Sequence, residues 1–600
     1  MHMRTGALWT ATVWFWAACG ETGTSAEDNP DATAGGGASV GGQPAPGGVP
    51  APGGVPAPGG EPAPGGEPAP GGEPALGGEP APGGEPAPGG TPGPAPECPV
   101  PDSPLGPREV DVTQGRLSGV AAESTTAYLQ IPFAAPPLGA LRFRAPEPAG
   151  CFDTAPRDAS VWGPVCPQLN GEVYEGVEDC LFLNVWVPDA PADGPRPVLF
   201  FIHGGGNAQG GASEQQVPQM PSFRLYDGAA LASHTGAVVV TTNYRLGPLG
   251  FLALPGGGPQ AATDPIDGNE GLLDLVTALQ WVQRDIARFG GDPDRVLIFG
   301  ESAGARNVCS LLGTPRSAGL YHGAIIQSGG CTQPERGLVE ATGARLLTAT
   351  ACEATPDPVA CLRGLTPEAL LRALPPMIVV SGGQSGIEYQ PFPDGAVMPS
   401  QPLAQIRGGT QVSVPTLIGA NADEAAFDAP PLATVAQYEA LVRATFVNVA
   451  PRVLAQYPAD AYPTPRDAYI ALASDVKFIC PSRTVARALN GGSAPTWRYF
   501  FTHRLENLQR RTPYAYHGLE LFFVFRHLEV SGYVPSASER ALSDTLATSW
   551  GDLAATGTLP APWVPYAAAT DTTTVLDGAG LSALEGVRTE NCDFWDSLTP

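Results

Sequence analysis

Short apolar runs alternate with helical patterns through the middle of the chain. Residues 197–203, 237–243 and 295–299 are largely apolar runs, which is typical of buried strands. Between the second and third runs, apolar residues recur at helical spacing over residues 271–289, and a Gly pair ends that helix. A further helix and a fourth apolar run at residues 323–327 follow. This order predicts an α/β fold with a mostly parallel central sheet flanked by helices.

The first residues of the chain have the pattern of a secretory signal peptide. Arg4 precedes an apolar run at residues 7–18 that is shorter than the roughly 20 residues needed to cross a bilayer. The string WAACG resembles a bacterial lipobox, whose Cys becomes the lipidated N-terminus, although Leu is usual at the position of Trp16. We therefore predict residues 1–19 as a signal peptide of the lipoprotein type, with Cys19 as the lipidation site. Cleavage by an ordinary signal peptidase is the alternative.

A repeated segment follows the signal peptide. Residues 41–94 repeat the unit GG-x-P-A-P nine times, with lapses at Leu76 and Gly93. Such a segment has almost no apolar side chains to bury and combines flexible Gly pairs with short polyproline II rods. We therefore predict residues 20–97 as a disordered Gly/Pro-rich linker and residues 98–600 as one globular α/β domain.

Charge and cysteine content restrict the partners and the compartment. The net charge is −27, and Lys477 is the single lysine of the chain. Nucleic acids and anionic lipid headgroups bind clustered Lys and Arg, so neither is expected as a partner, and a lipid anchor is the only predicted membrane contact. Eleven cysteines behind a signal peptide indicate an oxidising compartment, with Cys19 reserved for lipid and ten left for five bridges. The predicted location is the cell surface or outer membrane of a bacterium, with secretion or the periplasm as the alternative.

One pentapeptide carries a candidate nucleophile. Gly300-Glu301-Ser302-Ala303-Gly304 fits the G-x-S-x-G pattern of a nucleophile elbow, in which Ser stands on a sharp turn between a strand and a helix. Gly and Ser are common in turns, so the pattern alone is weak. Here a predicted strand precedes it and a predicted helix follows it, and Ser302 is therefore the predicted nucleophile.

A glycine triplet, residues 204–206, follows the first predicted strand. Backbone without side chains can approach a substrate carbonyl closely, and the negative oxygen of an acyl-transfer intermediate needs N–H donors. A group of such donors is called an oxyanion hole, and we predict that the N–H groups of Gly205, Gly206 and Ala303 form it. Such chemistry requires no metal ion and no organic cofactor.

The base and the acid are less well determined by residue chemistry. The usual chain order after an elbow is Ser, acid, His, so the base should follow Ser302. His517 lies in a predicted loop, followed by Gly and then an apolar helical run, which is a good position for a ring that faces a cleft. His503 remains as an alternative. Asp423 and Glu424 both follow a strand-like segment, and either carboxylate can orient an imidazole.

Several long strings carry a resemblance to a known family: IPFAAPPLGALRFRAPEP, EDCLFLNVWVP, HGGG, NYRLGPLGFL, GNEGLLDLVTALQWVQRDIARFGGDPDRVLIFGESAGA and NCDFW. From about residue 110 to the C-terminus the chain resembles the type-B carboxylesterase/lipase family, which includes carboxylesterases, cholinesterases and para-nitrobenzyl esterases. The resemblance implies an α/β-hydrolase fold and a serine esterase. It also implies Glu424 as the acid, from a G-x-x-x-D-E string, and His517 as the base, from an H-G-x-E string.

The resemblance further implies three disulfides: Cys166–Cys180, Cys352–Cys361 and Cys480–Cys592. It also implies a structural ion pair between Arg142 and Glu178. Four cysteines then remain in the domain, and we pair them by proximity in the sequence: Cys98 with Cys151 and Cys309 with Cys331.

Two departures from the family pattern concern the substrate pocket. Asn207 follows the glycine triplet where an aromatic residue is usual, so the acyl side of the pocket is predicted to be more polar or more open. The loop between Cys166 and Cys180 has no Trp. Cholinesterases hold quaternary ammonium on a Trp there, so choline esters are not expected as preferred substrates. Glu301 and Glu520 are expected to support the site without transferring protons.

The predicted function is that of a serine carboxylic-ester hydrolase that acts on small to medium esters through an acyl-enzyme. One alternative is a non-catalytic surface adhesion or binding module of the same fold, and another is a lipase on longer acyl chains. The intact set of Ser302, Glu424 and His517 favours the enzyme, because a binding module does not require these residues.

Overall fold

The computed structural model describes residues 98–153, 155–213, 223–257, 266, 268–376, 388–507, 513–530 and 532–598. The predicted signal peptide, Cys19 and the linker at residues 20–97 lie outside the described residues. In the described part of the chain, no helix is both long and apolar enough to span a bilayer.

One large sheet dominates the described residues. The strands are β1 (Glu109–Val112), β2 (Gly115–Ser118), β3 (Val120–Ala122), β4 (Thr125–Pro132), β5 (Arg157–Asp158), β6 (Gln168–Asn170), β7 (Val173–Glu175), β8 (Phe182–Pro188), β9 (Arg196–Ile202), β10 (Val238–Thr242), β11 (Gly291–Glu301), β12 (Gly323–Gln327), β13 (Thr416–Asn421), β14 (Thr496–Phe501), β15 (Thr573–Asp577) and β16 (Gly580–Leu584). Eleven of them form the large sheet, in the order β16-β15-β14-β13-β12-β11-β9-β10-β8-β4-β3.

The middle of this sheet is parallel and its edges are antiparallel. The strands from β15 to β10, taken in sheet order, all run parallel to their neighbours. Antiparallel strands complete both ends. The predicted mostly parallel sheet is therefore confirmed. The four strands predicted from apolar runs are β9, β10, β11 and β12, which lie next to one another at its centre.

Helices flank the sheet. The α-helices of the described residues are α1 (Ala229–Thr235), α2 (Gly247–Phe251), α3 (Glu270–Asp285), α4 (Ala303–Leu312), α5 (Arg336–Ala349), α6 (Pro358–Gly364), α7 (Pro367–Ala373), α8 (Pro402–Gly408), α9 (Val435–Phe446), α10 (Ala450–Gln456), α11 (Pro465–Ser474), α12 (Cys480–Leu489), α13 (Leu519–Val524), α14 (Ala537–Thr556) and α15 (Thr589–Asp596). The helix predicted at residues 271–289 is α3 with the 3-10 turn that follows it. It ends at Gly290, whose φ of +76° is the left-handed conformation that favours glycine.

Strand β9 shows that both faces of the sheet are buried. Val198, Phe200 and Ile202 belong to one hydrophobic core, and Leu199 and Phe201 belong to another. Successive side chains of a strand point to opposite faces, so a core lies on each side of the sheet. This burial on both faces is why β9 is a continuous apolar run rather than an alternating pattern.

Covalent and ionic links fix the loops around the sheet. All five predicted disulfides are present: Cys98–Cys151, Cys166–Cys180, Cys309–Cys331, Cys352–Cys361 and Cys480–Cys592. The ion pair of Arg142 with Glu178 is also confirmed, through two contacts of 2.6 and 2.5 Å. The same guanidinium donates to the carbonyl oxygen of Leu365 at 2.6 Å, so it ties two separate loops together.

Candidate active site

Ser302 stands between β11 and α4, where the elbow motif predicts it. Its φ of +59° and ψ of −119° form a conformation that residues with a side chain rarely adopt. Such a backbone persists only where its surroundings hold it. The Ser302 N–H donates to the carbonyl oxygen of Gln327, the last residue of β12, at 2.9 Å. The turn thus presents Ser302 at the carboxyl edge of the parallel strands, where open α/β sheets form their sites.

The glycines of the elbow have no room for a side chain. A Cβ on Gly304 would lie 2.1 Å from the carbonyl oxygen of Ile202, and one on Gly300 would lie 2.6 Å from the carbonyl carbon of Gly304. Helix α4 therefore packs directly on the end of β9, an approach that only glycine permits. This contact fixes Ser302 beside the loop that follows β9.

That loop is the glycine triplet. A Cβ on Gly204 would lie 3.1 Å from the Cβ of Ser302. Gly205 and Gly206 have φ values of +93° and +67°, which favour glycine. In the part of the chain that the structure describes, the N–H groups of Gly205, Gly206 and Ala303 donate to no protein acceptor. These three donors are therefore available to a ligand oxygen.

His203 supports the start of the same loop. Its ring stacks on that of Tyr244, with centroids 4.4 Å apart, and its Nδ1 lies 2.9 Å from the carbonyl oxygen of Gly204. Burial lowers the pKa of His203 to about 4, so the ring is neutral and Nδ1 carries the proton of this hydrogen bond.

The structure brings together the predicted acid and the predicted base. His517 Nδ1 lies 2.6 Å from Glu424 Oε2, and both side chains are buried. The other oxygen of Glu424 accepts the N–H of Asn421, at the end of β13, at 2.7 Å. The His517 ring also packs on Phe478, with centroids 4.8 Å apart. The imidazole is therefore held through one nitrogen and one face.

The alternative residues have other contacts. His503 Nε2 lies 3.1 Å from Glu539 Oε1, a carboxylate that also closes a capping box at the start of α14. Asp423 Oδ2 accepts the N–H of Ala515 at 3.0 Å, so it fixes the loop that carries His517 but does not contact the imidazole in the hydrogen bonds of the described residues. The geometry favours Glu424 over Asp423 and His517 over His503.

Two further carboxylates lie around the imidazole. Glu301 Oε1 is 3.1 Å from His517 Nε2, although the pair lacks the alignment of a hydrogen bond. Glu520 accepts from Gln327 Nε2 at 3.1 Å and from the side-chain amide of Asn421. Sequence reasoning predicted both as supporting residues, but it gave no sign that the Glu301 carboxylate reaches the second imidazole nitrogen.

Burial and mutual charge shift the pKa values of this cluster. Burial raises the pKa of Glu301 to about 8, with Glu520 and Glu424 adding to the shift and His517 opposing it. For His517, burial favours the neutral ring, but the charges of Glu301 and Glu424 outweigh it and raise the pKa to about 10. Burial also raises the pKa of Glu520 to about 7. The imidazole is thus biased toward its protonated form.

Asn207, the predicted pocket residue, is fully buried. Its Oδ1 accepts a hydrogen bond from Asn307 Nδ2 of α4 at 2.9 Å, and its φ of +52° is one that Asn tolerates. The amide therefore packs on the nucleophile helix, a contact that an aromatic ring at this position cannot make. Its predicted contact with the acyl part of a substrate stays a prediction.

Comparison with known proteins identifies the family. A family model described as "Carboxylesterase family" matches residues 106–595. The chain belongs to the carboxylesterase family. The resemblance and the α/β-hydrolase fold predicted from the sequence are confirmed. Membership in the carboxylesterase family makes this protein a carboxylic ester hydrolase whose substrates are small-molecule esters.

Individual carboxylesterases cover most of the domain. Para-nitrobenzyl esterase of Bacillus subtilis (strain 168) is 34% identical over 486 residues, which cover 78% of this chain and 94% of that protein. Liver carboxylesterase of Sus scrofa is 31% identical over 548 residues, which cover 82% and 94%. A solved structure of PNB esterase matches with a TM-score of 0.68 and 32% identity, over 81% of this chain and 99% of that chain.

Proposed function

We propose that this carboxylic ester hydrolase cleaves small to medium esters with Ser302 as nucleophile, His517 as general base and Glu424 as the orienting acid. The observation that carries the proposal is the buried contact of His517 Nδ1 with Glu424 Oε2 at 2.6 Å. A carboxylate in that position fixes the tautomer with the proton on Nδ1 and leaves Nε2 to exchange protons with the nucleophile.

Acylation is the first half of the proposed reaction. Ser302 Oγ attacks the ester carbonyl carbon while His517 Nε2 takes the hydroxyl proton. The carbonyl oxygen becomes negative and accepts hydrogen bonds from the N–H groups of Gly205, Gly206 and Ala303. The bond between the carbonyl carbon and the alcohol oxygen then breaks. His517 returns its proton to that oxygen, and the alcohol leaves.

Deacylation repeats these steps with water. His517 takes a proton from the water as its oxygen attacks the acyl carbon. The ester bond to Ser302 then breaks, Ser302 recovers its proton from the imidazole, and the acyl part leaves as a carboxylic acid, which ionises. Glu424 stabilises the imidazolium in both halves.

The test uses the full-length protein with 4-nitrophenyl acetate, butyrate and decanoate. We expect turnover that is fastest on the two short esters, and a loss of roughly 10³-fold or more in kcat for Ser302→Ala. Ser310→Ala, on the same helix, is the matched control and should retain activity. Absence of turnover in folded wild-type protein would favour the binding module, and a strong preference for decanoate would favour the lipase.

We also infer that the protein is exported and held at the cell surface through Cys19. The five disulfides support export, because such bridges persist in oxidising compartments. Intact-mass analysis of protein from the membrane fraction should show an acylated N-terminal Cys19, and Cys19→Ser should move the protein to the soluble fraction. Soluble wild-type protein without added lipid mass would refute the anchor.

A further inference from the structure

Two cationic side chains belong to the segments that carry Ser302 and pack on His517. Arg306 follows Ser302 by one turn of α4, and its backbone N–H donates to the Ser302 carbonyl oxygen at 3.1 Å. Helical side chains point back toward the N-terminus of their helix, so Arg306 extends toward the nucleophile end of α4. Its guanidinium donates to Gln390 and lies 3.8 Å from Glu388 Oε2.

Lys477 contacts the same carboxylate. It is the single lysine of the chain and lies in the π-helical turn Asp475–Ile479, next to Phe478, whose ring packs on His517. Its Nζ is 3.7 Å from Glu388 Oε1. The two oxygens of Glu388 therefore lie between a cation of α4, the helix that follows Ser302, and a cation adjacent in sequence to Phe478.

Glu388 pairs only loosely with these cations. Separations of 3.7 and 3.8 Å exceed hydrogen-bond range, and the close contact of this carboxylate is with Gln390 Nε2 at 2.6 Å. The side chains of Arg306 and Lys477 are 27% and 19% exposed, so a small solute can reach both. Because both are mostly covered by protein, solvent screens their charges less than it screens those of fully exposed side chains.

We propose that Arg306 and Lys477 form a carboxylate-binding subsite that makes the enzyme prefer esters with a free carboxylate on the acyl or alcohol part. The substrate carboxylate takes the position between the cations that Glu388 now holds. A guanidinium can donate two parallel hydrogen bonds to a carboxylate, and an ammonium adds a compact charge. The inference rests on the proposed function, because it requires Ser302 and His517 as the reacting pair.

The subsite has a predicted pH dependence. Burial lowers the pKa of Lys477 to about 8, while Glu388 and Asp428 favour its charge and Arg306 opposes it. Lys477 therefore loses its charge as the pH rises through about 8. The preference for an anionic over a neutral ester should fall over the same range. The ratio of kcat/KM for the two esters, measured on the same enzyme, cancels the titration of His517 because that titration affects both substrates.

The test compares matched esters on the full-length protein. One pair is 4-nitrophenyl hexanoate and the mono-4-nitrophenyl ester of adipic acid, and the other is phenyl hexanoate and 4-carboxyphenyl hexanoate. The measured quantity is the anionic-to-neutral ratio of kcat/KM. For at least one pair, Arg306→Gln and Lys477→Gln should each lower this ratio by about tenfold. Glu388→Gln should raise it severalfold, because a competing carboxylate is removed.

Arg443→Gln is the matched control, since Arg443 forms an exposed helix pair with Glu439 and should leave the ratio unchanged. If every variant still hydrolyses the neutral esters and the anionic-to-neutral ratio of kcat/KM is the same in all of them, the subsite is overturned and the proposed function stays intact. Wild-type protein that hydrolyses neither kind of ester would overturn both. Glu388→Gln keeps the test informative if a cation variant fails to fold, because it changes the ratio in the opposite direction.

Discussion

The carboxylate of Glu424 joins His517 to the central sheet. One of its oxygens lies 2.6 Å from His517 Nδ1, and the other accepts the N–H of Asn421, the last residue of β13, at 2.7 Å. The carboxylate is therefore fixed by a strand end, and it restrains an imidazole that is carried by a loop.

Glu424→Gln should remove most of the activity while the protein stays folded. The amide has similar shape but no charge, so it neither stabilises the imidazolium nor enforces the correct tautomer. We expect kcat/KM on 4-nitrophenyl butyrate to fall by roughly 10³-fold or more. Asp423→Asn is the matched control, because the Asp423 carboxylate binds Ala515 of the loop and the exposed Arg504, and its loss should be less than about tenfold. Equal losses in the two variants would contradict the assignment of the acid.

Glu301→Gln should move the acid limb of the pH profile to lower pH. The base acts only when neutral, so activity rises as the pH rises through the pKa of His517. The Glu301 carboxylate favours the imidazolium and helps to raise that pKa to about 10, so its removal lowers the pKa. The measurement is kcat/KM against pH, with exposed Glu439→Gln as the control. An unmoved or upward-shifted limb would refute this role.

Gly304→Ala should destabilise the protein strongly. The added Cβ would lie 2.1 Å from the carbonyl oxygen of Ile202, so α4 must move away from β9. We expect a loss of about 2 kcal/mol or more in the free energy of unfolding. Gly337→Ala is the control, because nothing lies within 4 Å of its added Cβ in helix α5. This substitution should be neutral or slightly stabilising in a thermal melt.

Arg142→Met should also lower the free energy of unfolding. The guanidinium and Glu178 are 8% and 10% exposed, so its removal leaves a buried carboxylate unpaired. Loss of one partner of a buried pair costs about 3–5 kcal/mol. Urea denaturation measures the change, and Arg443→Met, in an exposed pair, should cost no more than about 0.5 kcal/mol. Similar midpoints for the two variants would show that the Arg142 pair contributes little.

The centre of the fold could be predicted from the sequence because its strands are buried on both faces. Strands β9 to β12 appear as continuous apolar runs, and the elbow glycines mark a contact that excludes side chains. The edge strands β3 and β16 contain partly exposed residues and leave no such pattern. Local chemistry therefore predicts the elbow and its serine but not the outer sheet.

The partners of the nucleophile depend on contacts between distant segments. His517 and Glu424 are 93 residues apart, and local pattern favours His517 over His503 only weakly and does not separate Glu424 from Asp423. Residue chemistry left both pairs open, and the family resemblance chose between them. The approach of Glu301 to the imidazole, and of Arg306 and Lys477 to Glu388, had even less signal, apart from Lys477 being the single lysine.

The disulfide between Cys480 and Cys592 closes a ring of chain that contains His517 but neither Ser302 nor Glu424. A single cut of the backbone anywhere inside that ring leaves every fragment covalently attached to the rest of the molecule. A single cleavage therefore releases the histidine only if this disulfide is also reduced. A nicked molecule should migrate as one species without reductant and as two with it.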